Sequence, residues 1–387
     1  MENETRRTAL RFVILLGLVS LFADMTYESA RSISGPYLAI LGASAGVVGI
    51  VAGLGEFIGY GLRIVSGIIS DRTGRYWAVT IAGYAVNLLA VPAIALAGHW
   101  EIAAILIMAE RFGKAVRVPA RDAMLSHAAH GLGRGWAFGI HEAMDQIGAM
   151  IGPVIVAAVL AVSGSYRYGF AVLAFPAVLA LTILTFARIS HPQPRDLEPV
   201  FPAGRSRGFP PVFWLYLAAV GCIALGFCDF PLAAFHMKTT GIVTDRWIPI
   251  IYAGAMGVDA LSALVFGRLF DQKRFSLLLA LMAVSAGSAP LVFLFGPVLL
   301  MLGMVLWGVG MGALESVIRA IVGDILHPDR RATGYGVFNA GFGLAWFIGS
   351  ALMGLFYERS LIALAAFSFF AQAASLPLLY RVFKRIR

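Results

Sequence analysis

The chain has 387 residues, 59% of them apolar and only 13% charged, where an average soluble domain carries roughly 25% charged residues. With a mean hydropathy of +0.83, this composition excludes an ordinary soluble fold. The net charge of +9 could suggest a nucleic-acid partner, but its distribution along the chain argues against one.

Apolar residues fall in blocks of about 20, enough for a helix to cross a bilayer. In chain order the blocks run 12–38, 43–70, 76–97, 101–126, 133–163, 167–189, 211–238, 246–270, 275–295, 298–325, 331–357 and 360–383. They predict an all-α integral membrane protein with twelve transmembrane helices. The first block is too long for a cleaved signal peptide and contains Asp24, Glu28 and Arg31. The second runs into a charged turn, Gly67-Ile-Ile-Ser-Asp71-Arg72-Thr-Gly74-Arg75. Between the sixth and seventh lies a proline-rich, basic stretch with no apolar period, which reads as a cytoplasmic linker. It divides the chain into 1–189, 190–211 and 212–387. Cys222 and Cys228 share the seventh block and read as small core residues, since their spacing suits neither a disulfide scaffold nor zinc. The eighth block runs into Gly267-Arg-Leu-Phe-Asp271-Gln-Lys273-Arg274, which repeats the earlier turn. Arg117 and Asp122 match Arg319 and Asp324, and Gly135 matches Gly334, at nearly the same offset. The chain therefore reads as a duplication, two pseudo-symmetric six-helix halves, an arrangement common among solute transporters.

With Met1 placed inside, the inner segments hold most of the basic residues, among them Arg6, Arg7, Arg72, Arg75, Arg195, Lys273, Arg274 and Arg385. The outer segments hold Arg167, Lys238, Arg246 and Arg359. This positive-inside bias predicts cytoplasmic termini in a bacterial-type inner membrane. Trp77, Trp100, Trp214 and Trp247 near span ends fit interfacial belts. Glycine totals 43 residues, with close pairs such as Gly148 and Gly152 where helices would meet.

An ionisable group at mid-membrane costs at least about 2.5–3.5 kcal/mol on insertion scales. Here such groups concentrate in the first half. Span 1 places Asp24, Glu28 and Arg31 on one helical face. Span 2 carries Glu56 and Arg63, span 4 carries Glu110, Arg111, Lys114 and Arg117, and span 5 carries His141, Glu142 and Asp145. The second half has Asp229, His236, Asp259, Glu315 and Arg319. Desolvation favours a neutral carboxyl group and a nearby arginine favours the carboxylate, so a group between the two can exchange a proton. An internal ion-pair network that only rigidifies the half is the structural alternative.

The turn Gly67-x-x-x-Asp71-Arg72-x-Gly74-Arg75, between the second and third of twelve spans, resembles the signature of the major facilitator superfamily at every defined position. The resemblance covers essentially the whole chain. It implies a central cavity, alternating access and a cytoplasmic gate built from Gly67, Asp71, Arg72, Gly74 and Arg75, with Asp71 facing the positive N-terminus of span 11. The second copy departs from the signature, with Gln272 in place of the arginine and no final Gly-Arg. Arg111 is similar to a mid-membrane arginine of superfamily proton antiporters, although Ala115 stands where they have a glycine. Gly148-x-x-x-Gly152-Pro153 resembles the antiporter motif that kinks the fifth helix and marks exporters, although Ala157 and Ala158 replace its trailing glycines. The text Arg111-x-Gly-Lys114-Ala-x-Arg117-x-Pro119-x-Arg121-Asp122, followed by Gly135-x-Ala-Phe-Gly-x-His141-x-Ala-Met144-Asp145, resembles a branch that includes nickel-resistance-type exporters.

The resulting expectation is a secondary transporter that exports a small organic solute in exchange for protons. Asp24, Glu28, Arg31, Glu56, Arg111, Lys114, Arg117, His141, Glu142 and Asp145 are the candidates for substrate and proton coupling. A divalent transition-metal ion is the alternative substrate, with Asp24, Glu28, His141 and Asp145 as ligands. A lipid flippase on the same fold is the reading from another class, and the charged faces of spans 1, 4 and 5 argue against it. No phosphate-binding loop or catalytic triad spacing occurs, so no enzyme activity and no cofactor are expected. The expected partners are the solute, protons and the bilayer, with the chain acting as a monomer.

Overall fold

A computed structural model describes residues 2–129, 134–192, 208–318, 321–322, 325–326 and 331–386. Within these, it leaves aside the side chains of 2–6, 71, 127–129, 134–135, 267–278, 316–317, 331–333 and 386. Arg319, Asp324, most of the 190–211 linker and the side chains of Asp71, Asp271, Lys273 and Arg274 lie outside the described set.

Among the described residues every regular element is helical, and nine helices are long and apolar enough to cross a membrane. Two compact units form. Met1–Arg31 with Leu62–Pro202 make the first, and Ser32–Gly61 with Ala203–Arg387 make the second. The division runs through the first two long helices as well as the linker.

The first unit takes part of α1 (Glu2–Ile40) and α2 (Ala45–Thr73), then α3 (Tyr76–Ala93), α4 (Trp100–Ala129), α5 (Arg134–Ser163), α6 (Tyr166–Ala171) and α7 (Ala174–Ser190). Helix α2 stops because Gly74 adopts φ 66° and its N–H returns to the Ser70 carbonyl at 2.9 Å, a left-handed end that glycine accepts without a Cβ clash. Helices α3 and α4 approach through facing glycines: a Cβ on Gly113 would strike the Asn87 nitrogen, and one on Gly83 would strike Arg117. Helices α1 and α5 approach in the same way. A Cβ on Gly148 would meet the Leu21 carbonyl, and one on Gly152 would meet that of Met25. Helix α5 contains Pro153, and Gly148 and Gly152 admit the backbone of α1.

The second unit departs from the expected spans in two places. The block read as one helix over 211–238 is two, α8 (Pro211–Gly226) and α9 (Phe230–Thr240), separated by Phe227, Cys228 and Asp229. Pro231 has no N–H to give the carbonyl four residues back. Side chains satisfy the carbonyls exposed around the break. Ser368 and Gln372 donate to the Gly226 carbonyl at 2.6 and 3.0 Å, and Trp307 Nε1 donates to that of Cys228 at 2.7 Å. Conversely, the second charged turn does not end a helix. Helix α10 (Trp247–Ser285) runs straight through it, because Arg274 stands where the first copy has the helix-stopping Gly74. The remaining elements are α11 (Ser288–Leu294), α12 (Pro297–Ala313), a π-helical turn over Leu314–Ile318, α13 (Arg331–Arg359) and α14 (Leu361–Ile386). Cys222 and Cys228 are free thiols.

Candidate functional site

In the first unit, helical periodicity turns scattered charges into one buried cluster. Ser20, Asp24, Tyr27 and Glu28 recur on one face of α1, and Glu110, Lys114, Arg117 and Arg121 do so on α4. The Tyr27 hydroxyl donates to Asp24. The Lys114 ammonium lies 3.7 Å from Glu28 Oε1 and 3.8 Å from the centre of the Tyr27 ring. Arg111 pairs with Glu110 at 3.3 Å, and Asn87 of α3 donates to the same carboxylate at 2.8 Å. Arg121 binds Asp122 at 2.8 Å and donates to Ser20 at 2.9 Å. On α5, His141 Nδ1 lies 3.4 Å from Asp145 Oδ2.

Arg117 is fully buried, and its Nε and Nη1 have no hydrogen-bond partner among the described residues. Its guanidinium lies over two rings instead, 4.2 Å from the centre of Tyr84 and 5.5 Å from that of Tyr27. The cluster can therefore hold positive charge on aromatic faces while its carboxylates pair with other partners.

Asp24, Glu28, Arg111, Lys114, Arg117, His141 and Asp145 all belong to this unit, as does Arg31 at its edge. Glu56 is buried in the second unit. Glu142 is exposed, because a single residue step turns it away from the face shared by His141 and Asp145. Among the described residues no three His, Cys, Asp or Glu side chains converge as a metal ligand set. Of the gate residues, Gly67 lies against Pro119 of α4, and Arg72 and Arg75 are exposed beside Gly74. Sequence reasoning missed Tyr27, Tyr84, Asn87 and Ser20. Thr80, Tyr84 and Asn87 at helical spacing in an otherwise apolar α3 were the available signal. In the second unit Asp229 accepts from Ser350 at 2.6 Å, His236 Nδ1 lies 3.0 Å from the Tyr357 hydroxyl, and Asp259 is buried.

The sequence model of the Major Facilitator Superfamily matches residues 16–350, and also 247–385. The chain belongs to the major facilitator superfamily. Its fold, a helical integral membrane one, is that of this superfamily, and the protein is a membrane transporter rather than an enzyme. An uncharacterized protein of Mycobacterium tuberculosis is 44% identical over 361 residues, covering 92% of this chain and 88% of its own. An uncharacterized MFS-type transporter of Methanocaldococcus jannaschii is 25% identical, covering 93% and 92%. Among solved structures, a POT family transporter in complex with 5-aminolevulinic acid aligns with a TM-score of 0.77 at 13% identity, over 96% of this chain and 95% of its own. A bacterial homologue of the human lysosomal transporter Spinster, inward-facing and unoccupied, gives 0.70 at 15% identity over 97% and 95%. These likenesses carry the fold.

Proposed function

We propose that this transporter is a proton-coupled exporter of small organic solutes that works by alternating access. The observation that carries the reading is the buried cluster of the first unit. Asp24, Glu28 and Asp145 are each held there by a partner that can move, respectively Tyr27, Lys114 and His141. A proton taken up by one of these carboxylates neutralises it and releases its partner, which changes the charge available to a solute. Arg117 and Arg111 stay charged throughout and serve as fixed counter-charges. The absence of a three-ligand set among the described residues favours an organic solute over a metal ion. The solute in the aligned POT family complex, 5-aminolevulinic acid, fits that size class.

The reading includes the six-plus-six division at 190–211, cytoplasmic termini, an inner-membrane location and a monomer. An imposed pH gradient across proteoliposomes, inside acidic or inside basic, tests the coupling. Uptake of a solute that follows the gradient, with solute-induced proton release by the purified protein, supports antiport. Transport that ignores the gradient overturns it. A reporter fused after Arg387 tests the orientation; activity restricted to the outer side of the membrane would overturn the twelve-span topology.

A further inference from the structure

Tyr27 meets both signs of charge in the first unit with different parts of one side chain. It is buried on α1, three residues after Asp24 and beside Glu28. Its hydroxyl donates to Asp24. Its ring carries the Lys114 ammonium of α4 at 3.8 Å from the ring centre, with the Arg117 guanidinium at 5.5 Å. The same ammonium lies 3.7 Å from Glu28 Oε1. A charge-assisted N–H···O bond measures about 2.7–2.9 Å, so Lys114 is not closed onto Glu28, and the ring shares in holding it. Arg117 has a nearer ring in Tyr84, at 4.2 Å, which leaves Lys114 as the cation that depends on Tyr27. The charges that act on Asp24 are Lys114 and Arg117 of α4, Asp145 of α5 and Glu28 of its own helix.

A cation is drawn to a ring face by the electron density there. A phenol that donates to a charged carboxylate is polarised, and linked contacts in a buried place strengthen one another. The Tyr27 ring therefore holds Lys114 most firmly while Asp24 is ionised. A proton from the aqueous phase that adds to an Asp24 carboxylate oxygen ends the charge-assisted bond. The Tyr27 hydroxyl then faces a neutral group, its ring loses electron density, and Lys114 is freed to exchange partners. The proton later leaves from the same oxygen, and no other covalent bond forms or breaks. An aromatic residue that only packed would need no hydroxyl, and a donor that only satisfied Asp24 would need no ring under Lys114. We propose that Tyr27 is the positioning residue through which the proton state of Asp24 sets the place of the Lys114 ammonium. The proposal rests on the proton-coupling reading and names the part that transmits it.

The sequence makes the test practical, because its lysines stand only at positions 114, 238, 273 and 384. The purified full chain, carrying isotope-labelled lysine side chains and held in lipid nanodiscs, is titrated with acid and followed by nuclear magnetic resonance. The Lys114 signal is the one that Lys114→Arg removes. The expected result is a signal displaced by the ring current of Tyr27, whose displacement falls by about half or more as the pH is lowered. Asp24→Asn should abolish that response. Tyr27→Phe keeps the ring and loses the hydroxyl, so the signal should stay displaced while its pH response falls by about half or more. Tyr27→Leu should remove the displacement itself. Thermal unfolding of each variant identifies loss of fold, and the titration of the unaltered protein decides without any Tyr27 variant. A displacement that stays constant with pH, or a response unchanged in a folded Tyr27→Phe or Asp24→Asn variant, overturns the proposal. If a pH gradient drives transport while the Lys114 signal ignores Asp24, the role of Tyr27 falls and the export reading stands. If the signal responds as expected but no gradient drives transport, the role of Tyr27 stands and the export reading falls.

Discussion

The guanidinium of Arg117 lies 4.2 Å from the centre of the Tyr84 ring. A fully buried charge thus rests on an aromatic face. Desolvated cation–π contacts reach about 2 kcal/mol, whereas breaking a buried ion pair costs about 3–5 kcal/mol. A cation held by rings can therefore exchange neighbours at lower cost than one locked to a carboxylate, which suits a part that must change partners during a transport cycle.

Tyr84 separates ring from hydroxyl. Its hydroxyl is buried with no partner among the described residues, so Tyr84→Phe should leave thermal stability unchanged or slightly raised. Tyr84→Leu removes the face under Arg117 and should cost about 2 kcal/mol. Equal melting temperatures for the two variants would show that the ring does not support Arg117.

The coupling residues separate by their partners. Glu28→Gln and Asp145→Asn remove the acceptors facing Lys114 and His141. Each should impair pH-driven transport, and at least one should still bind solute. Arg111→Ala should do more damage, about 3–5 kcal/mol, because Glu110 then stays buried without its cation. The measurement is solute-induced proton release by the purified variants. Equal release by the wild type and both carboxylate variants would make these groups structural.

Two glycines of α5 should answer alanine with opposite signs. A Cβ at Gly148 would collide with the Leu21 carbonyl of α1, whereas nothing lies within 4 Å of one at Gly139. Gly148→Ala should destabilise by about 1–3 kcal/mol through overpacking. Gly139→Ala should stabilise by about 0.5–1 kcal/mol through helix propensity. Thermal unfolding of the pair checks both, and a shift of the same sign in both would contradict the packing described here.

The blocks of apolar residues and the glycine-closed turn were legible because each is a local signal, and Gly74 ends α2 by its own backbone geometry. The charged cluster was partly legible, since spacing places Asp24 and Glu28 on one face. Tyr27, which donates to Asp24, and Asn87, which donates to Glu110, stayed hidden among ordinary apolar-span residues. The break at Phe227–Asp229 was hidden as well, because an apolar composition looks the same whether or not Pro231 interrupts the ladder. Only tertiary donors such as Trp307 and Gln372 make the break tolerable.

That break offers the last prediction. Asp229 sits in the extended link between α8 and α9, nearly inaccessible to solvent, and accepts from Ser350 of α13 at 2.6 Å. A hydrogen bond to a charged group is worth about 1.5–3 kcal/mol when the partner is lost in a buried place. Ser350→Ala should therefore destabilise by that amount, and Ser350→Thr, which keeps the hydroxyl, should do so less. Asp229→Asn keeps the shape of the carboxylate and can still accept from Ser350, so if the bond is what matters its cost should fall below that of Ser350→Ala. Asp229→Leu removes the acceptor and should approach the Ser350→Ala value. A double-mutant cycle between Asp229→Leu and Ser350→Ala measures the coupling directly. An interaction free energy near zero would mean that the broken helix is held by its backbone acceptors alone, through Trp307, Ser368 and Gln372.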